Sequence, residues 1–382
     1  MRTQREVHVS GSLASLPRIL CAAGARPNFM KVAPILARLR ESRRLAGFLV
    51  HTGQHYDAAM SEAFFRDLGI PEPDEHLGVG SHSPPVQTGR IMERFAPILD
   101  AVRPACVLVV GDVNSTLACA LAAAKVFVPV AHVEAGLRSG DRTMPEELNR
   151  ILTDAASDLL FTTSPDADAN LRREGIPPAR IHRVGNVMID SLRRFLTDAE
   201  RSRILEEIGV EPGRYALVTL HRPSNVDRRE DLDRIVSILE GTAARIPVVF
   251  PVHPRSRARL QEESLFDPLR QIPQLHLREP EGYLDFLKLV SKARIVLTDS
   301  GGIQEETTVL GVPCLTLRPN TERPITIDEG TNRLVGSDPR RVLEAVEAEL
   351  ERSPARTGRI PDLWDGRAAD RIVRILEEIY AR

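Results

Sequence analysis

The run Ala105-Cys106-Val107-Leu108-Val109-Val110 constrains the fold more than any other segment. It is apolar at every position, so neither face of the strand it forms can meet water. A strand buried on both faces belongs to a parallel sheet covered by helices on both sides. The neighbouring segments agree. Residues 18–23, 47–51, 128–133 and 159–162 read as short apolar strands, and the stretch 29–41 between the first two reads as a helix. After a charged helical stretch over 188–209, closed by Glu211-Pro212-Gly213, the rhythm restarts with strands at 215–220, 247–252, 275–277, 293–298 and 313–317. This alternation predicts two doubly wound, Rossmann-like α/β domains.

A chain of 382 residues is long enough for two such domains. The expected division is a tail over 1–16, a first domain over 17–189 and a second over 190–364. The amphipathic helix 365–382 is expected to pack back on the first domain. The 51 basic and 53 acidic side chains nearly cancel, which gives no global pull toward nucleic acid or an anionic membrane. No apolar run approaches the ~18 residues of a membrane span. The N-terminal segment lacks the apolar core of a signal peptide. Cys21, Cys106, Cys119 and Cys314 lie far apart, which fits buried thiols in a reducing compartment rather than a disulfide frame or zinc site. The default location is therefore the cytoplasm. His51 and His55 have i, i+4 spacing, but His51 ends a strand, and no other cluster has metal-ligand spacing, so no metal is expected.

In open α/β sheets ligands sit beyond the carboxyl ends of the strands. Polar clusters occur there. Thr298-Asp299-Ser300-Gly301-Gly302-Ile303-Gln304-Glu305-Glu306 follows one strand and opens a helix. Its glycines admit a close approach of phosphate, and the helix amides and dipole favour an anion. Glu306, one turn in, is placed to hold ribose hydroxyls. A plain serine-capped turn is the structural alternative. Thr321-Glu322-Arg323-Pro324 offers an arginine suited to bidentate phosphate pairing. Arg26 and Lys31, one of only four lysines, flank the first strand–helix turn, where cations oppose the helix dipole and so call for another purpose.

A second set carries carboxylates. Asp112 follows the strand ending at Val110, and Glu134 sits in His132-Val133-Glu134-Ala135-Gly136-Leu137-Arg138. Pro145-Glu146-Glu147-Leu148-Asn149-Arg150 opens a helix with Glu146 and Arg150 at i, i+4; a surface ion pair is the structural alternative there. Carboxylates gathered in one cleft can be pushed apart in pKa, leaving one as base and another as acid. His221 and His253 each end a strand of the second set and suit proton transfer or phosphate binding.

In their order and spacing these segments resemble the non-hydrolysing UDP-N-acetylglucosamine 2-epimerase family, over residues 18–336. The resemblance implies a glycosyltransferase-B-like fold with a cleft between the domains, a homodimer and no cofactor. It implies inversion at C2 of UDP-GlcNAc to give UDP-ManNAc, through elimination of UDP, a 2-acetamidoglucal intermediate and re-addition of UDP. Carried over by position, Asp112, Glu134 and Glu146 are the acid/base carboxylates. Arg150 orients or balances Glu146, and His221 assists at the diphosphate or the leaving oxygen. Arg26, Lys31, Ser300, Gly301, Gly302, Glu306 and Arg323 bind UDP with His253, and Tyr283 and Phe286 flank the uracil. Some members bind a second UDP-GlcNAc as activator through a Gln-His pair. Gln54-His55 matches that pair, although Tyr56-Asp57 differs from the basic or amide residues next to it in those members. Asn28 stands where many members have glutamate, and Glu281 where some have glutamine. Related readings are a C2 epimerase of a diacetamido-uronic acid nucleotide, a hydrolysing epimerase, a glycosyltransferase, or a nucleotide-sugar-binding regulator with a dead site.

Overall fold

The computed structural model describes residues 16–54, 69–70, 72–352 and 358–381; the side chain of Arg26 also lies outside the description. Seven strands form the first sheet: β1 (Arg18–Ala23), β2 (Ala46–His51), β3 (Glu75–His76), β4 (Cys106–Val110), β5 (Val130–Ala135), β6 (Leu159–Thr162) and β7 (Ile181–Arg183), in the order β3-β2-β1-β4-β5-β6-β7. The second holds β8 (Ala216–Thr219), β9 (Val248–Pro251), β10 (Leu275–Arg278), β11 (Ile295–Thr298), β12 (Cys314–Thr316) and β13 (Asn332–Leu334), in the order β10-β9-β8-β11-β12-β13. Every described pairing is parallel. The two orders are equivalent, each doubling back once, so the doubly wound α/β architecture expected from the alternation is present. Both sheets reverse direction of winding at one place, between β1 and β4 in the first and between β8 and β11 in the second. Those are the switch points outside which ligands bind.

β3, β7 and β13 were not expected. Each is two or three residues long and lies at a sheet edge; β3 is wholly polar and β7 and β13 are only partly apolar, so no periodicity marks them. The first helix runs Arg26–Glu41, starting earlier than expected and taking Arg26 and Pro27 into its first turn. Proline is harmless there because first-turn amides have no intrahelical acceptor.

The expected helix over 188–209 is two helices, Val187–Ala199 and Ile204–Ile208. Asn186 caps the first through its side chain, accepting from the Met188 amide at 2.9 Å. The break is stabilised by Ser202, whose hydroxyl oxygen accepts the Ile204 amide at 3.2 Å. Helix Val187–Ala199 touches both halves. Ser191 donates to the Met30 carbonyl at 2.5 Å, and Phe195 meets Tyr283 edge-on at 5.8 Å. A single apolar cluster accordingly runs from β1 and β4 through this helix to β8 and β11. The last helix, Ala368–Tyr380, is capped by Asp190, which accepts the Ala368 and Ala369 amides at 3.1 and 2.8 Å. It lies on helix Arg26–Glu41, with Arg38 paired to Asp370 at 2.7 Å and Ser42 donating to Glu377 at 2.5 Å.

Candidate active site

The first switch point is tied together by Asn28. Its Oδ1 accepts the Ala25 amide at 3.2 Å and its Nδ2 donates to the Val110 carbonyl at 2.9 Å. The turn after β1 is thus fixed to the end of β4, beside Gly111 and Asp112. Gly111 has φ +68°, and a Cβ there would sit 2.9 Å from Lys31 Nζ.

β5 delivers Glu134 in an unusual way. Its pairing with β6 shifts register between Val133 and Ala135, and Glu134 itself has φ +73°. Such a backbone costs a residue with a Cβ about 1–2 kcal/mol. A bulge re-aims a side chain that strict alternation would send elsewhere. Here it brings the Glu134 carboxylate into a buried ion network that spans both sheets. Glu134 meets Lys31 at 2.7 Å and Arg323 at 3.2 Å. Arg323 also meets Glu305 at 2.8 Å and pairs with Glu322. Glu322 is the hub, reaching Arg318 at 2.8 Å, Arg222 at 3.4 Å and Arg150 at 3.9 Å. Arg150 in turn pairs with Asp112 and with Glu147, the latter at 2.9 Å.

Buried ions are costly unless each is compensated. The compensation here is even: Asp112, Glu134, Glu147, Glu305 and Glu322 face Lys31, Arg150, Arg222, Arg318 and Arg323. Burial pushes the Asp112 carboxyl up, but Arg150, Lys31 and Arg323 outweigh it and hold the group below the usual range. Burial likewise opposes ionisation of Glu322, and Arg323, Arg318, Arg150 and Arg222 together hold it well below its ordinary value. Glu305 goes the other way, raised by burial although Arg323 opposes this.

At the second switch point helix Gly301–Leu310 begins after Ser300, and no side chain caps its first amides. A Cβ on Gly301 would meet Arg323 Nη1 at 2.3 Å and Glu322 Oε1 at 2.6 Å, so glycine is what lets the ion network reach this helix start. Beside Gly302 the space is open. Glu306 is buried one turn in; burial, with Glu305 adjacent, pushes its carboxyl up to about 8. Asp299 organises the loop after β8. It accepts the His221 and Arg222 amides at 3.0 and 2.9 Å, and its Oδ1 lies 3.0 Å from His221 Nδ1. The His221 side chain stays 39% exposed, with the His253 ring 5.2 Å away. Burial lowers the His253 pKa, and His221 adds to that.

Lys31, Asp112, Glu134, Arg150 and Arg323 are thus joined in one cluster, with Ser300, Gly301 and Gly302 beside it. Other candidates sit differently. Arg150 does not take Glu146 as its partner; it takes Glu147, whose carboxylate is held on the buried side by the Ser139 and Gly140 amides, each at 2.9 Å. Glu146 is half-buried, and its charge is felt by Arg222. Tyr283 is buried against Phe195, and Phe286, half-buried, packs against the same apolar cluster. Gln54 is buried, its Oε1 accepting the Ser115 amide at 3.0 Å and the Ser115 hydroxyl at 2.7 Å. His55 and the side chain of Arg26 lie outside the described residues. Glu147, Arg222, Glu305, Arg318 and Glu322 were not anticipated as site residues. All but Arg318 lie within the polar motifs after the strands, and only contact across the cleft distinguishes them from surface charges. Among the described residues no group of three His, Cys, Asp or Glu could hold a metal ion.

Comparison with known proteins agrees with this geometry. The family model described as UDP-N-acetylglucosamine 2-epimerase matches residues 37–377. A UDP-N-acetylglucosamine 2-epimerase of Methanocaldococcus jannaschii is 43% identical over 92% of this chain and 97% of its own length. A UDP-2,3-diacetamido-2,3-dideoxy-D-glucuronate 2-epimerase of Pseudomonas aeruginosa is 40% identical over 95% of this chain and all of its own. Among solved structures, the Methanocaldococcus jannaschii UDP-GlcNAc 2-epimerase in complex with UDP-GlcNAc and UDP superimposes with a TM-score of 0.88 at 41% identity, covering 94% of this chain and 99% of that one. Two doubly wound sheets of equivalent order and this coverage place the chain in the UDP-N-acetylglucosamine 2-epimerase family, a family of isomerases.

Proposed function

We propose that the protein interconverts UDP-GlcNAc and UDP-ManNAc by inverting C2. The observation that carries this reading is the Lys31–Glu134–Arg323 junction. It joins carboxylates at the edge of the first sheet to the uncapped helix start and arginine of the second.

The C2 proton of the sugar is weakly acidic, so its loss must be coupled to departure of a good leaving group. In the proposed step a carboxylate takes the C2 proton, the C2–H electron pair forms the C1=C2 double bond, and the C1–O bond breaks with its pair leaving on UDP. The 2-acetamidoglucal then takes a proton on its opposite face from a second carboxyl group, protonated at the start of the step: the C1=C2 π pair forms the new C2–H bond as a UDP oxygen supplies the pair for the C1–O bond. Asp112, Glu134 and Glu146 are the candidate carboxylates. Arg323, Lys31 and the amides of Gly301 and Gly302 hold UDP while it is free, keeping the return step unimolecular. Glu306 holds the ribose, and His221 with His253 serves the diphosphate. No metal or organic cofactor takes part in this scheme.

Turnover of UDP-GlcNAc in D₂O, followed by NMR, tests the proposal. UDP-ManNAc carrying deuterium at C2 is expected, and product without solvent deuterium would exclude the elimination route. A second reading, a diacetamido-uronate nucleotide as substrate, has the support of the Pseudomonas aeruginosa relative at 40% identity. A panel of UDP-sugars separates the two by kcat/KM. The domain division at 189/190, a cytoplasmic location and a homodimer belong to the same proposal. Four buried free cysteines support a reducing compartment, and Leu148 and Leu152, 42% and 43% exposed on one helix face, support self-association. No described helix is long and apolar enough to cross a membrane. Light scattering reads the dimer.

A further inference from the structure

β5 carries a second polar side chain two residues before Glu134. His132 is completely buried. Its Nδ1 lies 2.6 Å from Asp154 Oδ1, and its Nε2 lies 2.8 Å from the carbonyl oxygen of Gly111. Asp154, on helix Pro145–Ala156, is completely buried as well. Its other oxygen accepts the Gly136 amide at 3.1 Å and meets Arg138 Nη2 at 2.7 Å. One buried pair therefore grips the backbone on both sides of the carboxylates. Gly111 immediately precedes Asp112, and Gly136 follows Glu134 by two residues. The Gly111 amide also donates to the Val133 carbonyl at 3.0 Å, which closes the link between the ends of β4 and β5. Gly111, Glu134 and Gly136 all have left-handed backbone, with φ of +68°, +73° and +81°.

Such conformations persist only where surrounding bonds over-determine them. A buried ion pair is seldom worth more to stability than apolar residues of the same volume. The pair lies beneath the carboxylates and has no other task in the proposed chemistry. We propose that His132 and Asp154 are a positioning dyad that sets the Asp112 and Glu134 carboxylates at the reacting carbon without touching substrate. This rests on the epimerase reading above. UDP is held by Arg323 and helix Gly301–Leu310 of the other sheet and by Lys31, none of which the dyad touches, so the dyad bears on proton transfer more than on nucleotide affinity. The Gly111 carbonyl oxygen can only accept, so the bond to it requires a hydrogen on Nε2 of His132.

The test uses the full chain with Asp154→Asn and His132→Gln, and Tyr215→Phe as a control. Tyr215 donates a buried hydrogen bond to the Leu289 carbonyl at 2.6 Å, away from the cleft. Displacing a proton-transfer group by ~1 Å costs roughly 100-fold, so kcat should fall by about that factor in both dyad variants. KM and the calorimetric Kd for UDP should move less than about threefold, the signature of an interaction used only in the chemical step. Tyr215→Phe should lose stability and keep kcat. A folded Asp154→Asn enzyme with kcat within about threefold of the parent, or with UDP affinity falling in parallel with kcat, would overturn the dyad. Ring ¹⁵N shifts of His132 in the unsubstituted protein decide the matter even where a variant fails to fold: a hydrogen on Nε2 supports the clamp, and a bare Nε2 refutes it. Absence of turnover in the unsubstituted protein would instead refute the epimerase reading, and the ring shifts would still judge the dyad.

Discussion

The left-handed backbone at Glu134 makes a prediction that separates strain from charge. Glu134→Ala and Glu134→Gly both delete the carboxylate and both leave Lys31 and Arg323 without it. That loss cancels when the two variants are compared. What remains is the Cβ. At an ordinary strand position glycine is less stable than alanine by about 0.5–1 kcal/mol. At φ +73° the alanine Cβ itself costs about 1–2 kcal/mol, which glycine avoids. The glycine variant should therefore be more stable than the alanine variant by roughly 0 to 1.5 kcal/mol, the reverse of the usual order. Urea denaturation with a shared slope reads the difference as a shift in midpoint. Glycine less stable than alanine by about 0.5 kcal/mol or more would show that β5 runs through this residue without the bulge. Neither variant should turn over substrate. Glu134→Gln, which keeps the side chain's size, should also abolish turnover while leaving UDP affinity nearly unchanged. Surviving turnover would remove Glu134 from the proton-transfer pair.

Glu322→Gln removes the one carboxylate shared by Arg150, Arg222, Arg318 and Arg323, and breaking a buried ion pair of this kind costs about 3–5 kcal/mol. A loss under about 1 kcal/mol in urea would mean the arginines are satisfied without it. Glu306, at about 8, is neutral at pH 7. If ribose hydroxyls donate to its carboxylate, UDP binding expels a proton below pH 8 and tightens as pH rises toward 8. Calorimetry in buffers of different ionisation enthalpy reads the proton, and buffer-independent heats would refute the contact. Burial raises the Asp190 carboxyl from 3.8 to about 6, although the Ala369 and Ala368 amides oppose this. The folded protein keeps this proton longer than the unfolded chain, so its contribution is complete below pH 3.8 and is lost as pH rises through about 6. Relative to the parent, Asp190→Asn should gain stability over that window by about 1.4 kcal/mol per unit of raised pKa. A pH-independent difference would refute the shift.

Much of the fold is legible in the residues. Unbroken apolar runs such as Cys106–Val110 can only be interior parallel strands, and their recurrence after Tyr215 announces a second sheet. The edge strands β3, β7 and β13 escape notice because half-exposed segments of two or three residues carry no period. The site is legible in part. Glycine, serine and carboxylate clusters just after strands mark where chemistry is gathered. Which charges pair is not written there. On spacing alone Arg150 takes Glu146, and only the loop at Ser139 and Gly140 gives it Glu147 instead.

Tyr283 and Phe286, one helical turn apart, suit a base pocket by residue type, yet Tyr283 turns into the core against Phe195 because helix Val187–Ala199 packs across it. Near-neutral composition likewise conceals a dense buried charge cluster. The sequence by itself determined two doubly wound α/β units, their strand ends and the residue types available there, because burial on both faces and helical periodicity are local properties. Tertiary structure decided the bulge that turns Glu134 inward, the four arginines around Glu322 and the His132–Asp154 grip beneath them. These depend on groups far apart in the chain meeting at hydrogen-bond distance, and short-range pattern carries no record of that distance.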